Sequence, residues 1–192
     1  MTWHFMRRGK NVIDFEGLWT MGKVYWITGL AGAGKTSIGR ALYKKIREQH
    51  ENVVFLDGDT LREVFGGDLG YSETERRKCA MRYARLCLLL AEQGMIVVCC
   101  TISMFDSIRQ WNREHIQGYY EIYVKVSGEV LRQRNQKGLY ASSVDGESAD
   151  VVGITIPLEE PKTPDMILEN EGDLSPEEQA DAILDWLEKV RG

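Results

Sequence analysis

The run Val24-Tyr25-Trp26-Ile27-Thr28-Gly29-Leu30-Ala31-Gly32-Ala33-Gly34-Lys35-Thr36 sets the architecture of this chain. Its second part fits the P-loop pattern, in which a glycine, four residues and Gly-Lys-Thr bind a nucleotide phosphate. The glycines allow a tight turn whose N–H groups face phosphate oxygens. Lys35 adds a positive charge at the β- and γ-phosphates, and Thr36 offers a hydroxyl to Mg²⁺. An apolar strand before the loop and a helical pattern over Ser37–Glu48 supply the expected context, so we predict a site for ATP and Mg²⁺.

Beyond this motif, apolar runs and amphipathic patterns alternate along the chain. The predicted strands are Val24–Thr28, Val53–Asp57, Met95–Cys100, Tyr120–Val126 and Met166–Glu169. Besides Ser37–Glu48, the predicted helices are Thr60–Phe65, Glu73–Gln93, Phe105–Ile116, Gly128–Gln133 and Pro176–Val190. Such alternation is typical of a parallel sheet with helices on both faces. We therefore predict a three-layer α/β fold around a central, mostly parallel five-stranded sheet.

Composition limits the classes of protein to which the chain can belong. Its 192 residues suffice for one domain with a substantial core, and its formal net charge of -5 argues against a dedicated nucleic-acid binder. No stretch approaches 18 consecutive apolar residues, and the first residues lack a signal peptide's apolar run. We therefore expect a cytoplasmic protein with no membrane partner. The cysteines form no Cys-x-x-Cys pair and fit buried, reduced thiols; they are Cys79, Cys87, Cys99 and Cys100.

Two segments lack a regular pattern. Residues 1–22 hold several large aromatic and aliphatic side chains, too many for a solvated tail. This predicted N-terminal arm could pack on the domain formed by residues 23–192 or on a second subunit; a translation start at Met21 is the alternative. Residues 136–165 are long for a passive connection. A mobile lid or substrate-binding segment, spanning about 128–165, is therefore favoured over a plain loop.

A second functional element follows the second predicted strand, where Asp57-Gly58-Asp59 places two carboxylates at the strand's C-terminal end. Ligands of open α/β sheets bind outside these ends, and alternate residues of an extended strand point the same way. One carboxylate can hold a water on Mg²⁺, and the other can accept or orient the proton of an attacking hydroxyl. The structural alternative is an Asp-Gly turn in which Asp59 caps a helix that begins at Thr60.

Basic residues recur at or just beyond the same strand ends. Arginines on a lid can close over a nucleotide and neutralise the charge that develops during phosphoryl transfer. Taken singly, each is more typical of a solvated helix face, and only the clustering at the strand ends favours a role in binding. The group consists of Arg62, Arg76, Arg77, Arg109, Arg113, Arg132, Arg134 and Lys137.

Taken together, these features resemble the adenylyl-sulfate (APS) kinase family over nearly the whole chain. Many NTPases share the P-loop, but three further segments are much more specific. They are Leu56-Asp57-Gly58-Asp59 with Arg62, Asp68-Leu69-Gly70-Tyr71-Ser72 with Arg76, and Lys137-Gly138-Leu139-Tyr140. Shorter matches occur at Ile102-Ser103, Gly153-Ile154 and Glu160-Pro161. Thr2-Trp3-His4 is similar to the start of the family's N-terminal arm.

The resemblance implies a P-loop kinase fold and transfer of the ATP γ-phosphate, with Mg²⁺, to the ribose 3′-hydroxyl of a nucleotide. The family typically forms homodimers. By the resemblance, Lys35, Asp57 and Asp59 are catalytic, with Asp59 base-like, and Thr36 and Asp57 hold Mg²⁺, partly through water. The implied ATP site comprises Gly29, Leu30, Ala31, Gly32, Ala33, Gly34, Lys35, Thr36, Ser37, Arg132 and Arg134. The implied acceptor site comprises Asp59, Arg62, Tyr71, Arg76, Cys79, Ile102, Ser103, Lys137, Leu139 and Val151.

The ATP side of this pattern is intact, whereas the acceptor side departs from it. The family sandwiches the acceptor's adenine between two rings; Tyr71 supplies one, but Val151 stands where the other is expected. Stacking a base on a ring contributes about 1–3 kcal/mol. In addition, Cys79 replaces an asparagine, Met81 an arginine and Met104 a proline. This pattern is expected if the transfer chemistry is kept and the acceptor has changed.

Two acceptors therefore stay open. Adenylyl sulfate, which gives PAPS, is the family's acceptor in sulfate assimilation. Cytidine diphosphoramidate is the acceptor of a side branch in capsule phosphoramidate biosynthesis, and its smaller pyrimidine would need less aromatic wall. The runs Asp57–Tyr71 and Cys99–Arg109 look more like that side branch.

Two other classes of P-loop protein compete with this interpretation. A regulatory protein that binds ATP without transferring phosphate is disfavoured by Asp57 and Asp59, which such a protein would not need. A sugar or shikimate-type kinase is disfavoured by the segment Lys137–Tyr140.

Overall fold

The computed structural model of the chain describes residues 22–134 and 159–191. In this part of the chain the strands are β1 (Lys23–Thr28), β2 (Val53–Asp57), β3 (Ile96–Thr101), β4 (Tyr119–Lys125) and β5 (Met166–Glu169). They form a single sheet in the order β2-β3-β1-β4-β5. Every neighbouring pair is parallel, which confirms the predicted sheet and its five strands.

Helices connect these strands on both faces of the sheet. They are α1 (Lys35–Arg47), α2 (Gly58–Val64), α3 (Glu73–Glu92), α4 (Asp106–His115), α5 (Gly128–Arg134) and α6 (Pro176–Arg191). Every predicted strand and helix is present, and the predicted ends differ from the observed ends by at most two residues. Among residues 22–134 and 159–191, no helix combines the length and the apolar character needed to cross a membrane.

The sheet separates two apolar layers. On β1, Val24 and Trp26 pack into the layer formed with α3 and α4. Tyr25 and Ile27 point the other way, into the layer formed with α1 and α6. All four side chains are 0–1% exposed, because a parallel strand covered on both faces needs apolar residues at every position. The three-layer α/β prediction is therefore confirmed, and the four cysteines are buried free thiols, as predicted.

The parallel register brings the ends of three strands together. Thr28 at the end of β1 pairs with Thr101 at the end of β3, and Asp57 at the end of β2 pairs with Cys100. The P-loop, the Asp57-Gly58-Asp59 element and the loop after β3 therefore meet at one edge of the sheet. The predicted arm, residues 1–22, lies outside the described residues except for Gly22, and residues 135–158 of the predicted lid also lie outside them.

Candidate active site

The P-loop connects β1 directly to the N-terminus of α1. Gly34 has a φ of 92°, in the left-handed region that favours glycine. A Cβ at this position would also lie 2.6 Å from Nδ2 of Asn170, so both the backbone angle and the available space require glycine. Among the described residues, no side chain caps α1. Its first N–H groups therefore face the space in front of the loop, where a phosphate group can accept their hydrogen bonds.

Lys35 extends along the inside of this loop. The side chain is buried, and its Nζ donates a 2.7 Å hydrogen bond to the carbonyl oxygen of Leu30. Burial lowers the pKa of Lys35 from the usual 10.5 to about 8, although the nearby carboxylates of Asp57 and Asp59 oppose this shift. The ammonium group is thus poorly solvated, and an incoming phosphate would supply the negative charge that stabilises it.

Thr36 and Asp57 face each other beside the phosphate loop. The Thr36 hydroxyl donates a 2.7 Å hydrogen bond to Oδ2 of Asp57. Mg²⁺ prefers oxygen ligands, keeps several of its waters and is usually held by one or two carboxylates together with substrate phosphates. The pair fits such an ion. Within the described residues, no cluster of three or more His, Cys, Asp or Glu side chains could hold a metal.

The other carboxylate oxygen of Asp57 caps the N-terminus of α2. Oδ1 accepts hydrogen bonds from the N–H groups of Asp59 and Thr60, at 3.1 and 3.4 Å. The structural alternative drawn from the sequence, with Asp59 capping a helix that begins at Thr60, is therefore wrong: Asp57 is the cap and α2 begins at Gly58. The sequence pattern did not separate the two caps, because both aspartates precede the predicted helix Thr60–Phe65. Asp59 instead lies in the first turn of α2, on the wall of a cleft.

This acceptor-side cleft opens between α2, the first half of α3 and the loop after β3. All the predicted acceptor residues that the structure describes line it, whereas Lys137, Leu139 and Val151 lie outside the described residues. The lining consists of Gly58, Asp59, Arg62, Tyr71, Arg76, Cys79, Ala80, Tyr83, Thr101, Ile102, Ser103 and Phe105.

Two arginines beside a tyrosine ring supply positive charge to the acceptor-side cleft. The guanidinium carbons of Arg62 and Arg76 lie 4.5 and 5.0 Å from the centroid of the half-exposed Tyr71 ring. Nη1 of Arg62 donates to the carbonyl oxygens of Leu69 and Gly70, at 2.6 and 2.8 Å. Nε of Arg76 donates to the Tyr71 carbonyl oxygen at 2.8 Å. The backbone therefore holds two cations next to an aromatic ring, an arrangement suited to an anionic nucleotide.

Of the described residues that depart from the family pattern, one lines the acceptor-side cleft and two pack in the core. Cys79 lines the acceptor-side cleft, and its thiol donates a 2.9 Å hydrogen bond to the Tyr83 hydroxyl. Met104 is fully buried and Met81 packs against the core, so neither lines the cleft. Tyr83 was missed from the sequence, although its position four residues after Cys79 on a helix was a usable signal.

A second cleft lies on the other side of the P-loop, next to the loop after β5. Its lining includes Gly32, Gly34, Ser37, Ile38, Arg134, Asn170, Gly172, Leu174, Pro176 and Gln179. Arg134, which was predicted to lie near ATP, lines this second cleft together with P-loop glycines, and its Nη2 donates to the Asn170 carbonyl oxygen at 3.0 Å. Arg132, also expected near ATP, is exposed on α5.

Asn170 and Gln179 hold the P-loop in place, and sequence reasoning missed both. Nδ2 of Asn170 donates to the Ala33 carbonyl oxygen, and Nε2 of Gln179 donates to Oδ1 of Asn170, each at 2.8 Å. The two side chains are 8% and 1% exposed. In sequence they are an unremarkable polar residue after a strand and another in the first turns of a helix, so no local signal could have found them.

Three other arginines of the predicted basic group make ion pairs within the protein. Nε of the buried Arg109 lies 3.3 Å from Oε1 of Glu121, and Arg113 pairs with Glu121 and Asp165 at 2.9 and 3.0 Å. Arg77 likewise pairs with carboxylates on α3 and on the segment that follows residue 158. These guanidinium groups tie α3, α4 and β4 together, and they do not line the acceptor-side cleft.

Comparison with known proteins agrees with this geometry. Residues 21–169 match the family described as adenylylsulphate kinase. The cytidine diphosphoramidate kinase of Campylobacter jejuni subsp. jejuni serotype O:2 is 40% identical over 161 residues, which cover 84% of this chain and 94% of that protein. The adenylyl-sulfate kinase of Bacillus pumilus is 34% identical over 191 residues, which cover 98% of this chain and 96% of that protein. The Mycobacterium tuberculosis APS kinase CysC in complex with AMPPNP and APS has a TM-score of 0.80 at 34% identity, covering 88% of this chain and 98% of that one.

Proposed function

The chain belongs to the adenylylsulphate kinase family, and we propose that it transfers the γ-phosphate of ATP to the ribose 3′-hydroxyl of cytidine diphosphoramidate. One observation carries the proposed phosphoryl transfer: Asp59 lies on the wall of the acceptor-side cleft, while Asp57 contacts the P-loop through Thr36. A nucleotide bound in this cleft would therefore present its hydroxyl groups close to the phosphates held by the P-loop.

In the proposed reaction, the P-loop N–H groups and Lys35 bind the ATP phosphates. Thr36 and Asp57 would hold Mg²⁺ together with the phosphates, and the ion would supply positive charge next to the transferred group. Asp59 accepts a hydrogen bond from the acceptor hydroxyl and aligns its oxygen with the γ-phosphorus. The bond from this oxygen to phosphorus forms as the bond to the β–γ bridging oxygen breaks, ADP leaves, and Asp59 takes the proton.

Several features favour cytidine diphosphoramidate as the proposed acceptor. Tyr71 offers one aromatic surface for a base, and Val151 replaces the second ring of the family pattern. Cys79 has no amide with which to read a base edge, and its thiol is already bonded to Tyr83. The 40% identity to a cytidine diphosphoramidate kinase agrees with these features.

Adenylyl sulfate is the second candidate acceptor. It is supported by the 34% identity to the adenylyl-sulfate kinase of Bacillus pumilus over almost the whole chain. Arg62 and Arg76 would bind the anionic part of either nucleotide, so these two residues do not discriminate between the candidates.

A coupled ADP-release assay with both acceptors, at equal concentrations below saturation, tests the proposal. We expect a kcat/KM at least tenfold higher for cytidine diphosphoramidate, with ³¹P NMR locating the new phosphate on the 3′-oxygen. The Asp59→Asn variant should still bind ATP but transfer phosphate roughly 10²–10⁴-fold more slowly. A preference for adenylyl sulfate would assign the enzyme to sulfate activation. If neither acceptor stimulates ADP release, nucleotide phosphorylation is refuted.

The homodimer and the cytoplasmic location stay predictions. Light scattering on the purified chain tests the homodimer.

A further inference from the structure

We infer that Tyr83 is a positioning residue, which holds α2 and the carboxylate of Asp59 in the geometry that phosphoryl transfer needs. The inference rests on the proposed function, but neither the family pattern nor the similarity to known kinases assigns a role to this side chain. Tyr83 projects from α3 and is 4% exposed. Its hydroxyl donates a 2.9 Å hydrogen bond to the carbonyl oxygen of Gly58, the first residue of α2.

This hydrogen bond acts on the peptide group that directly precedes the Asp59 Cα. The carbonyl of that peptide accepts from Tyr83, and its N–H donates to Oδ1 of Asp57 at 3.1 Å. Both polar groups of the Gly58–Asp59 peptide are therefore held by side chains. Because the peptide is planar, the two hydrogen bonds together fix the direction in which the Asp59 side chain leaves the backbone.

The ring of Tyr83 contacts the other end of the same helix. It stacks on Phe65, the residue that follows α2, with ring centroids 6.1 Å apart and an angle of 17° between the planes. The α2 helix has only seven residues, among which Leu61 is buried. Helices this short depend on tertiary contacts. A single side chain of α3 thus supports both ends of the helix that carries Asp59 and Arg62.

Cys79 sets the direction of the Tyr83 hydroxyl. Its thiol donates to the hydroxyl oxygen at 2.9 Å, so the hydroxyl proton is directed to the Gly58 carbonyl. A thiol is a weak donor, and its removal should therefore have a small effect. The residue that replaces the family's asparagine thus acts on the transfer geometry through Tyr83, in addition to lining the cleft.

The Tyr83→Phe variant tests this inference, because it keeps the ring and removes only the hydroxyl. We expect amide exchange of residues 58–64 to rise at least about fivefold and kcat to fall about tenfold, since the partly buried Gly58 carbonyl loses its side-chain partner. The Kd for ATP should stay within twofold. Tyr119→Phe, which removes a buried hydroxyl from β4, is the matched control and should change none of these quantities.

Exchange and turnover within twofold of the wild type in Tyr83→Phe would overturn the inference. Phe65→Leu supplies a second test if Tyr83→Phe folds poorly. This variant keeps the Tyr83 hydroxyl but weakens the contact of residue 65 with the Tyr83 ring. It should raise amide exchange near residue 64 and lower kcat about threefold. Wild-type exchange in that region from both variants would also overturn the inference. The exchange measurement requires no acceptor, so failure of the proposed kinase reaction and failure of this inference give different results.

Discussion

Raising the pH from 7 to 9 should weaken the binding of ATP by this protein roughly tenfold, because of Lys35. Burial lowers the pKa of this lysine to about 8 in the nucleotide-free protein. Bound phosphates favour the ammonium form and raise the pKa again. Full affinity is therefore present well below pH 8 and is lost as the pH rises through 8, because binding must then first protonate the amine. With this pKa the protonated fraction falls about tenfold, from about 0.91 to about 0.09, which is a cost of about 1.4 kcal/mol in binding free energy.

Isothermal titration calorimetry with Mg²⁺ and a non-hydrolysable ATP analogue measures this effect directly. At pH 8, titrations in buffers of different ionisation enthalpy should show an uptake of about half a proton per nucleotide bound. The Lys35→Arg variant is the control: its guanidinium stays charged throughout, so its affinity, although lower, should not change between pH 7 and 9.

A constant Kd between pH 7 and 9 together with no proton uptake would refute this reasoning. Such a result would mean that the lysine keeps its charge in the free protein. The carboxylates of Asp57 and Asp59, and not burial, would then dominate its pKa. Release of protons on binding would contradict the sign of the argument as well as its size.

Three further substitutions probe other parts of the structure. Thr36→Val, which removes the hydroxyl from the expected metal site, should raise the Mg²⁺ concentration for half-maximal turnover about tenfold, as read from a Mg²⁺ titration. Asn170→Ala leaves the Ala33 carbonyl without its side-chain partner, and should lower the free energy of unfolding by about 1–3 kcal/mol and weaken ATP binding, as measured by urea denaturation and calorimetry. Glu121→Gln leaves the buried Arg109 without its β4 carboxylate, and should lower the free energy of unfolding by about 3 kcal/mol. The KM for ATP should change less than twofold. An unchanged urea midpoint would show that this ion pair contributes nothing to stability.

The fold could be predicted from the sequence because its signals are local. The strand, loop and helix around Lys35 form a contiguous motif, and the parallel strands read as unbroken apolar runs because both faces are covered. The same locality placed Asp57, Asp59 and the arginines of the acceptor-side cleft at one sheet edge, since parallel strands end together.

What the sequence could not show are contacts between distant side chains and backbone groups. Asn170 bonds to Ala33 across 137 positions, and Tyr83 reaches Gly58 only because α3 packs beside α2. The partners of Arg109 and Arg113 likewise depend on how α4 lies on β4, so a basic residue near a strand end could not be assigned to substrate or to structure. Each of these contacts is set by packing between elements, on which residue spacing along the chain carries no information.

The separation of the apolar layers by the sheet has a consequence for how this enzyme can evolve. The P-loop is braced by Asn170 and Gln179 from the face of α1 and α6, whereas α2 and α3 build the acceptor-side cleft on the opposite face. Substitutions on the two faces share few contacts and should combine additively. A lineage can therefore exchange one acceptor for another by altering a single face, while the phosphate donor continues to be used unchanged.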